Sequence, residues 1–150
     1  MNNVSPLRPV SSQEDTNSSY LMDRDPAELF QKYMEKAKIP EYQGLRQNVI
    51  NTLINRIGNA PLSISEVAKD LNLSKRTLQR HLKEQGSSFS ELRDQVRKHY
   101  AVDYLLRQNR RVDDIYTALD FSDRTSLTNA FRRWMGLAPS TFRKLFRDYV

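Results

Sequence analysis

Arg124, Thr125, Thr128 and Asn129 stand on one side of a short apolar-periodic segment whose other side is Leu127, Phe131 and Trp134. Arg76, Gln79, Arg80 and Lys83 stand in the same way opposite Leu78 and Leu82. Both sets are made of cationic, amide and hydroxyl side chains suited to the edges of nucleic-acid bases. Arginine grips guanine O6 and N7 through two donors, and glutamine or asparagine does the same for adenine N6 and N7. The bland reading of either set is a solvated helix face.

Catalytic chemistry finds no comparable set. The chain has no cysteine, which removes thiolate nucleophiles, disulfides and cysteine-based zinc sites together. Its two histidines, His81 and His99, fall in different predicted helices, so no metal pair is expected. There is no glycine-rich phosphate loop, and no nucleophile, base and orienting group converge in the pattern. An enzyme is not expected, nor is a cofactor.

The charge is divided unevenly. Residues 1–60 hold 7 Lys/Arg and 7 Asp/Glu, whereas residues 61–150 hold 17 and 11, so the net charge of +6 lies entirely in the last ninety residues. A basic surface there suits a phosphate backbone, an acidic protein or an anionic membrane alike. No apolar run approaches the roughly 18 residues of a membrane span, and the N-terminus lacks the apolar core of a secretory signal. A soluble, intracellular chain is expected.

Helical periodicity supplies the scaffold. Residues 1–24 are rich in Ser, Asn, Asp and Pro and read as a disordered tail. Asp25 and Pro26 start a helix carrying Leu29, Phe30, Tyr33, Met34 and Ala37, which either packs on the adjoining domain or serves dimerisation or a partner; residues 25–44 form this helix and a linker. Leu45, Val49, Ile50, Leu53, Ile54 and Ile57 form one stripe, ended by Gly58. Ser63 and Glu66 predict a capping box before a short helix with Val67, Ala68 and Leu71 inward. After a turn at Asn72-Leu73, Ser74 caps a second short helix closed by Gly86. A long helix, capped near Ser88 or Ser90, runs from about 90 to 108 with Leu92, Val96, Tyr100, Ala101, Tyr104 and Leu105 aligned.

Residues 112–136 then repeat the plan of 63–86: short helix, break at 120–122, polar-faced helix, glycine at Gly136. A last helix places Phe142, Leu145 and Phe146 inward and Arg143, Lys144 and Arg147 outward, where Arg143 or Lys144 could reach a phosphate. The fold class is therefore all-α: two helix-turn-helix subdomains joined by a long central helix, with an extra N-terminal helix. At 1.5 Å per residue a strut of some 20 residues spans about 30 Å, near the roughly 34 Å repeat of B-DNA.

The runs LNLSKRTLQRHLKEQG, RDQVRKHYAVDYLL and LDFSDRTSLTNAFRRWMGLAPSTFR resemble the two-motif DNA-binding domain of AraC/XylS-type bacterial transcription regulators. The resemblance covers about 48–146. Its most specific part is the spacing of Ile115, Leu119, Phe121, Ser122, Ser126, Phe131, Arg132, Gly136, Pro139, Phe142 and Arg143. Two positions depart from the family pattern: Tyr116 replaces a small residue, and Asp120 replaces the glycine of the turn. With Tyr116, either the helices cross more widely or the ring points out.

The resemblance implies a DNA-binding domain over 45–150. Arg76, Gln79 and Arg80 of the first motif, and Arg124, Thr125, Thr128 and Asn129 of the second, would face bases. Ser74 and Ser126 would serve as caps or phosphate contacts, with Lys75, Lys83, Arg132, Arg133, Arg143 and Lys144 on phosphates. Phe121, Leu127, Phe131 and Trp134 would be core. Residues 1–44 are too few for a ligand-binding barrel, so sensing within this polypeptide is not expected. The leading expectation is a sequence-specific regulator of double-stranded DNA in the bacterial cytoplasm, an activator that also contacts RNA polymerase. The alternative is a protein-interaction module, a short paralogue or antagonist that binds another regulator or the polymerase, motivated by the helix of residues 26–38 and by the departures at Tyr116 and Asp120.

Overall fold

The structure is a computed structural model that describes residues 25–150, so the tail expected over 1–24 lies outside the described residues. Those residues form eight α-helices and a terminal 3-10 turn, with no strand among them: α1 (Pro26–Ala37), α2 (Leu45–Arg56), α3 (Ile64–Asp70), α4 (Lys75–Glu84), α5 (Phe89–Leu106), α6 (Val112–Ala118), α7 (Arg124–Met135) and α8 (Pro139–Phe146). None of these helices is long and apolar enough to cross a membrane.

Local chemistry accounts for most helix starts. Asp25 accepts from the Ala27 amide with Pro26 at the first helical position. Ser63, Ser74, Ser88 and Asp123 cap α3, α4, α5 and α7 by accepting the amide three residues on. The reciprocal capping box expected at Ser63 and Glu66 forms only by half. Glu66 turns away to ion-pair with Arg56 (3.4 Å) and Lys69 (3.9 Å), because Arg56, also 2.8 Å from Asp70, draws it across to α2. The full box occurs instead at Ser88 and Glu91, each accepting from the other's amide.

Helix α5 is the axis. Phe89, Leu92, Val96, Ala101, Val102, Tyr104, Leu105 and Leu106 are buried along it, and the halves on either side meet mainly through its surface. One half packs Val49, Ile50 and Leu53 of α2 with Leu62, Val67, Leu78 and Leu82; the other packs Ile115, Leu119, Leu127, Phe131, Met135 and Phe142.

The N-terminal helix packs on its own chain. Leu29, Phe30 and Ala37 are buried, and Phe30 and Tyr33 join an aromatic cluster with Phe142, Phe146 and Tyr149. His99 of α5 donates from Nδ1 to the Ala37 carbonyl at 3.1 Å, holding the far end of α1. In α8 the inward line is Pro139, Phe142 and Phe146; Leu145, expected inward, is 42% exposed. It lies about 60° round the helix from Phe142, on the side away from the other two.

Among the described residues, Arg97 is the charged side chain the fold buries, only 7% exposed in the middle of α5. Its Nε donates to the Leu119 carbonyl at 2.8 Å and its Nη2 to the Asp120 carbonyl at 2.5 Å, while the guanidinium lies 4.0 Å from the centre of the Phe121 ring. Burial, aided by neighbouring Arg93, lowers its pKa to about 10, so the group stays charged at neutral pH. Replacement Arg97→Met would leave two carbonyls without their donor, at roughly 1–3 kcal/mol for each unsatisfied group. We expect a loss of about 2–4 kcal/mol in urea unfolding, and only partial recovery with Arg97→Lys, whose single ammonium cannot reproduce the fork.

The cap of α7 carries a pH dependence. The Ser126 amide, 2.7 Å from Asp123 Oδ1, and then the Ser126 hydroxyl hold the Asp123 carboxyl below its usual range. A depressed carboxyl contributes its stabilisation in full above the unfolded value of about 3.9 and loses it as pH falls through the folded value. Amide exchange should therefore show the first turn of α7 opening early on acidification, and Asp123→Asn should keep the cap while removing that dependence.

Candidate nucleic-acid interface

Two short helices end in the same turn. At α3 the Leu73 amide donates to the Ala68 carbonyl (2.9 Å) and the Asn72 amide to the Lys69 carbonyl (3.0 Å); at α6 the Phe121 amide donates to Tyr116 (2.9 Å) and the Asp120 amide to Thr117 (3.1 Å). Each is a Schellman closure with a left-handed residue at its centre, Asn72 at φ 58° and Asp120 at φ 60°. Asn and Asp are the non-glycine residues that best tolerate that region, so the departure at 120 leaves the turn intact. Tyr116 resolves as a half-buried ring packed at the core margin, where the first motif has the fully enclosed Ala68.

The helices that follow the turns expose the predicted side chains. In α4, Leu78 and Leu82 are fully buried, while Lys75, Arg76, Gln79, Arg80 and Lys83 are exposed. Ser74 is committed to the cap: its oxygen accepts from the Thr77 amide (3.0 Å) and its hydroxyl donates to Thr77 Oγ1 (2.9 Å). A groove beside this helix is lined by Ser63, Gln79, Lys83, Ser88, Phe89 and Arg93. Arg93 adds a cation that residue patterning missed. Its guanidinium sits 5.6 Å from the centre of the Phe89 ring, and the i, i+4 spacing of the two was the available signal.

In α7, Leu127, Ala130, Phe131 and Met135 are buried, and Arg124, Thr125, Asn129, Arg132 and Arg133 are exposed. Thr128 is half-buried at the edge of the core face, and Phe121 and Trp134, expected as core, are half-buried against each other with ring centres 6.2 Å apart. The cap of α7 is Asp123, not Ser126, because this turn is one residue longer than its counterpart; the Ser126 hydroxyl instead lies 3.2 Å from that of Ser122. Arg124 meets Asp113 at 3.5 Å with both side chains more than half exposed. Such a surface pair contributes about 0–1 kcal/mol and yields readily to a polyanion. Arg133 reaches Asp94 of α5 at 3.5 Å.

The two cations of α8 separate. Lys144 is exposed. Arg143, expected to face outward, turns inward: it is half-buried and donates to the Arg110 carbonyl in the loop after α5, since that carbonyl has left the helix and needs a donor. Of the predicted contact cations, Lys75, Arg76, Arg80 and Lys83 are exposed on α4 and Arg124, Arg132 and Arg133 on α7, one motif on each side of α5; further cations, among them Lys32, Lys36 and Arg147, are exposed away from both.

Comparison with known proteins agrees with this construction. The pattern of a helix-turn-helix domain family matches residues 67–145, more than half of the chain. The ornithine utilization regulator of Pseudomonas aeruginosa is 33% identical over 108 residues, covering 72% of this chain and 32% of that protein. The urease operon transcriptional activator of Escherichia coli is 31% identical over 102 residues, covering 68% and 34%. The chain thus spans about a third of the length of these relatives. Among solved structures, the transcriptional regulator CdpR of Pseudomonas aeruginosa superposes with a TM-score of 0.61 at 33% identity, over 67% of this chain and 32% of that one. A DNA-binding transcriptional dual regulator of Escherichia coli K-12, at 18% identity, shares the fold with a TM-score of 0.61 over 70% and 94%. With its two Schellman-closed motifs and the family pattern spanning both, the chain belongs to the AraC/XylS-type family of helix-turn-helix transcription regulators.

Proposed function

We propose that this chain binds double-stranded DNA sequence-specifically by placing α4 and α7 in successive major-groove segments, and that residues 45–150 form the DNA-binding domain. The observation that carries this reading is the repeated motif: the same closed turn, followed each time by a helix with exposed cations and amides, joined by the 18 residues of α5. At 1.5 Å per residue that helix is about 27 Å long, and the B-DNA repeat is roughly 34 Å. Arg76, Gln79, Arg80, Arg124, Thr125, Thr128 and Asn129 read base edges. Lys75, Lys83, Arg132, Arg133 and Lys144 hold phosphates, with Ser74 and Ser126 beside them at the helix starts.

The chemistry of the two groups differs. Long cations outside the base-reading rows neutralise phosphates and release counterions, which gives affinity without sequence information. Bidentate arginine and amide side chains supply discrimination of about 1–3 kcal/mol for each good pair. A relative named as a urease operon transcriptional activator supports the same sign of regulation here; contact to RNA polymerase at the promoter, in the bacterial cytoplasm, is part of the same proposal. The alternative, an interaction module built on the N-terminal helix, is weakened by the burial of Leu29, Phe30 and Ala37 within the chain itself.

Selection of bound duplexes from a random pool, followed by titration of the winning sequence at several salt concentrations, tests the reading. Arg80→Ala or Arg124→Ala is expected to cost about 1–3 kcal/mol on the selected duplex and to relax preference at one base position. An equal loss on every sequence would reassign that arginine to phosphate. Lys83→Ala should weaken all duplexes alike and reduce the steepness of the log-log salt plot by about 1.

A further inference from the structure

The two motifs are separate halves that meet mainly through α5, yet the second motif's turn is tied directly to the first half. The Asp120 carboxylate accepts from the Leu62 amide at 2.9 Å, and the Ala118 carbonyl accepts from the Gly58 amide at 3.0 Å. Among the described residues these are the direct hydrogen bonds between residues 45–86 and residues 112–150. Both fall on the loop between α2 and α3, immediately before the first motif. The Asp120 backbone carbonyl is meanwhile held by Arg97 of α5. Residue 120 therefore touches all three parts: its amide closes the turn, its carbonyl binds the strut, and its carboxylate binds the opposite half. This position departs from the glycine of the family pattern, and a glycine has no carboxylate to offer.

We infer that Asp120 is a positioning residue, a clasp that sets the orientation of the second recognition helix relative to the first. The inference rests on the two-segment reading of DNA binding. A helix joined at its ends can bend and twist, and a small rotation at residue 120 becomes a displacement of ångströms at the tip of α7. A second attachment away from the α5 axis removes that rotation. A chain held in one arrangement binds a two-segment site without an ordering cost at the moment of binding, so the clasp acts on spacing preference while touching no base.

Two arms test it. Asp120→Gly keeps the left-handed turn and removes the acceptor, and Asp120→Asn keeps an acceptor oxygen at the same place. The chain has no cysteine, so Glu84→Cys and Thr141→Cys, at exposed positions in α4 and α8, take spin labels cleanly. The wild-type distance distribution should be narrow, broadened by Asp120→Gly and restored by Asp120→Asn. Equal widths in all three would overturn the clasp. In the second arm the duplex selected by wild-type protein is compared with versions in which one recognised segment or the other is scrambled. Asp120→Gly should lose about tenfold on the intact duplex and stay within about twofold on the scrambled ones. Equal losses on all duplexes mean that the turn itself has failed, and also overturn the clasp. The spin-label arm contains no DNA. Broadening there, with wild-type protein indifferent to scrambling either segment, supports the clasp while overturning the two-segment reading.

Discussion

A guanidinium buried in the middle of α5 fastens the turn of the second motif to the central helix. Arg97 is enclosed by the turn it organises: two backbone carbonyls accept its protons and the Phe121 ring covers its face. The buried Leu119 carbonyl and the part-buried Asp120 carbonyl at the end of α6 have no helical partner, so they take a donor from outside the helix. Arginine suits this place because its planar fork meets two acceptors at once and is weakly hydrated for a cation. The constraint runs both ways. The turn exists in this position because α5 presents the fork, and the fork tolerates burial because the turn presents its carbonyls.

The remaining packing depends on that join. Residues 119–121 stand against α5, which sets α6 and leads α7 away with its apolar row on Phe142 and its polar row outward. The C-terminal helix closes the underside, and α1 closes it further by adding Phe30 and Tyr33 to Phe142 and Phe146. Arg143 fastens the loop after α5 to the same layer. The polar faces of α4 and α7 are thereby left with few structural duties. Arg76, Gln79, Arg80, Thr125 and Asn129 are exposed on helices whose opposite faces carry the packing.

Much of this was legible in residue order because it depends on local physics. Gly58 and Gly136 end helices, Ser74 and Ser88 start them, and Leu78 with Leu82 or Leu127 with Phe131 mark the buried sides, all within one or two turns of chain. The errors lay where distant partners compete for a group. Glu66 had the spacing of a capping box and was drawn off by Arg56 of α2. Arg143 had the look of a surface cation and was claimed by a carbonyl 33 residues earlier in the chain. Of the two roles open to Ser126, cap or phosphate contact, the longer turn handed the first to Asp123.

Sequence alone determined the class of the fold, the repetition of its motif and which helix faces are buried or carry exposed polar side chains, since periodicity, capping and side-chain type are properties of short segments. Tertiary structure decided how the segments are joined. Arg97 carried no signal within the long predicted helix until the turn after α6 placed two carbonyls over it. Asp120 was an awkward substitute in a turn until the Leu62 amide, 58 positions away, came within 2.9 Å of its carboxylate. Hydrogen bonds over such separations leave no period in the sequence, because their partners meet only after the cores have closed.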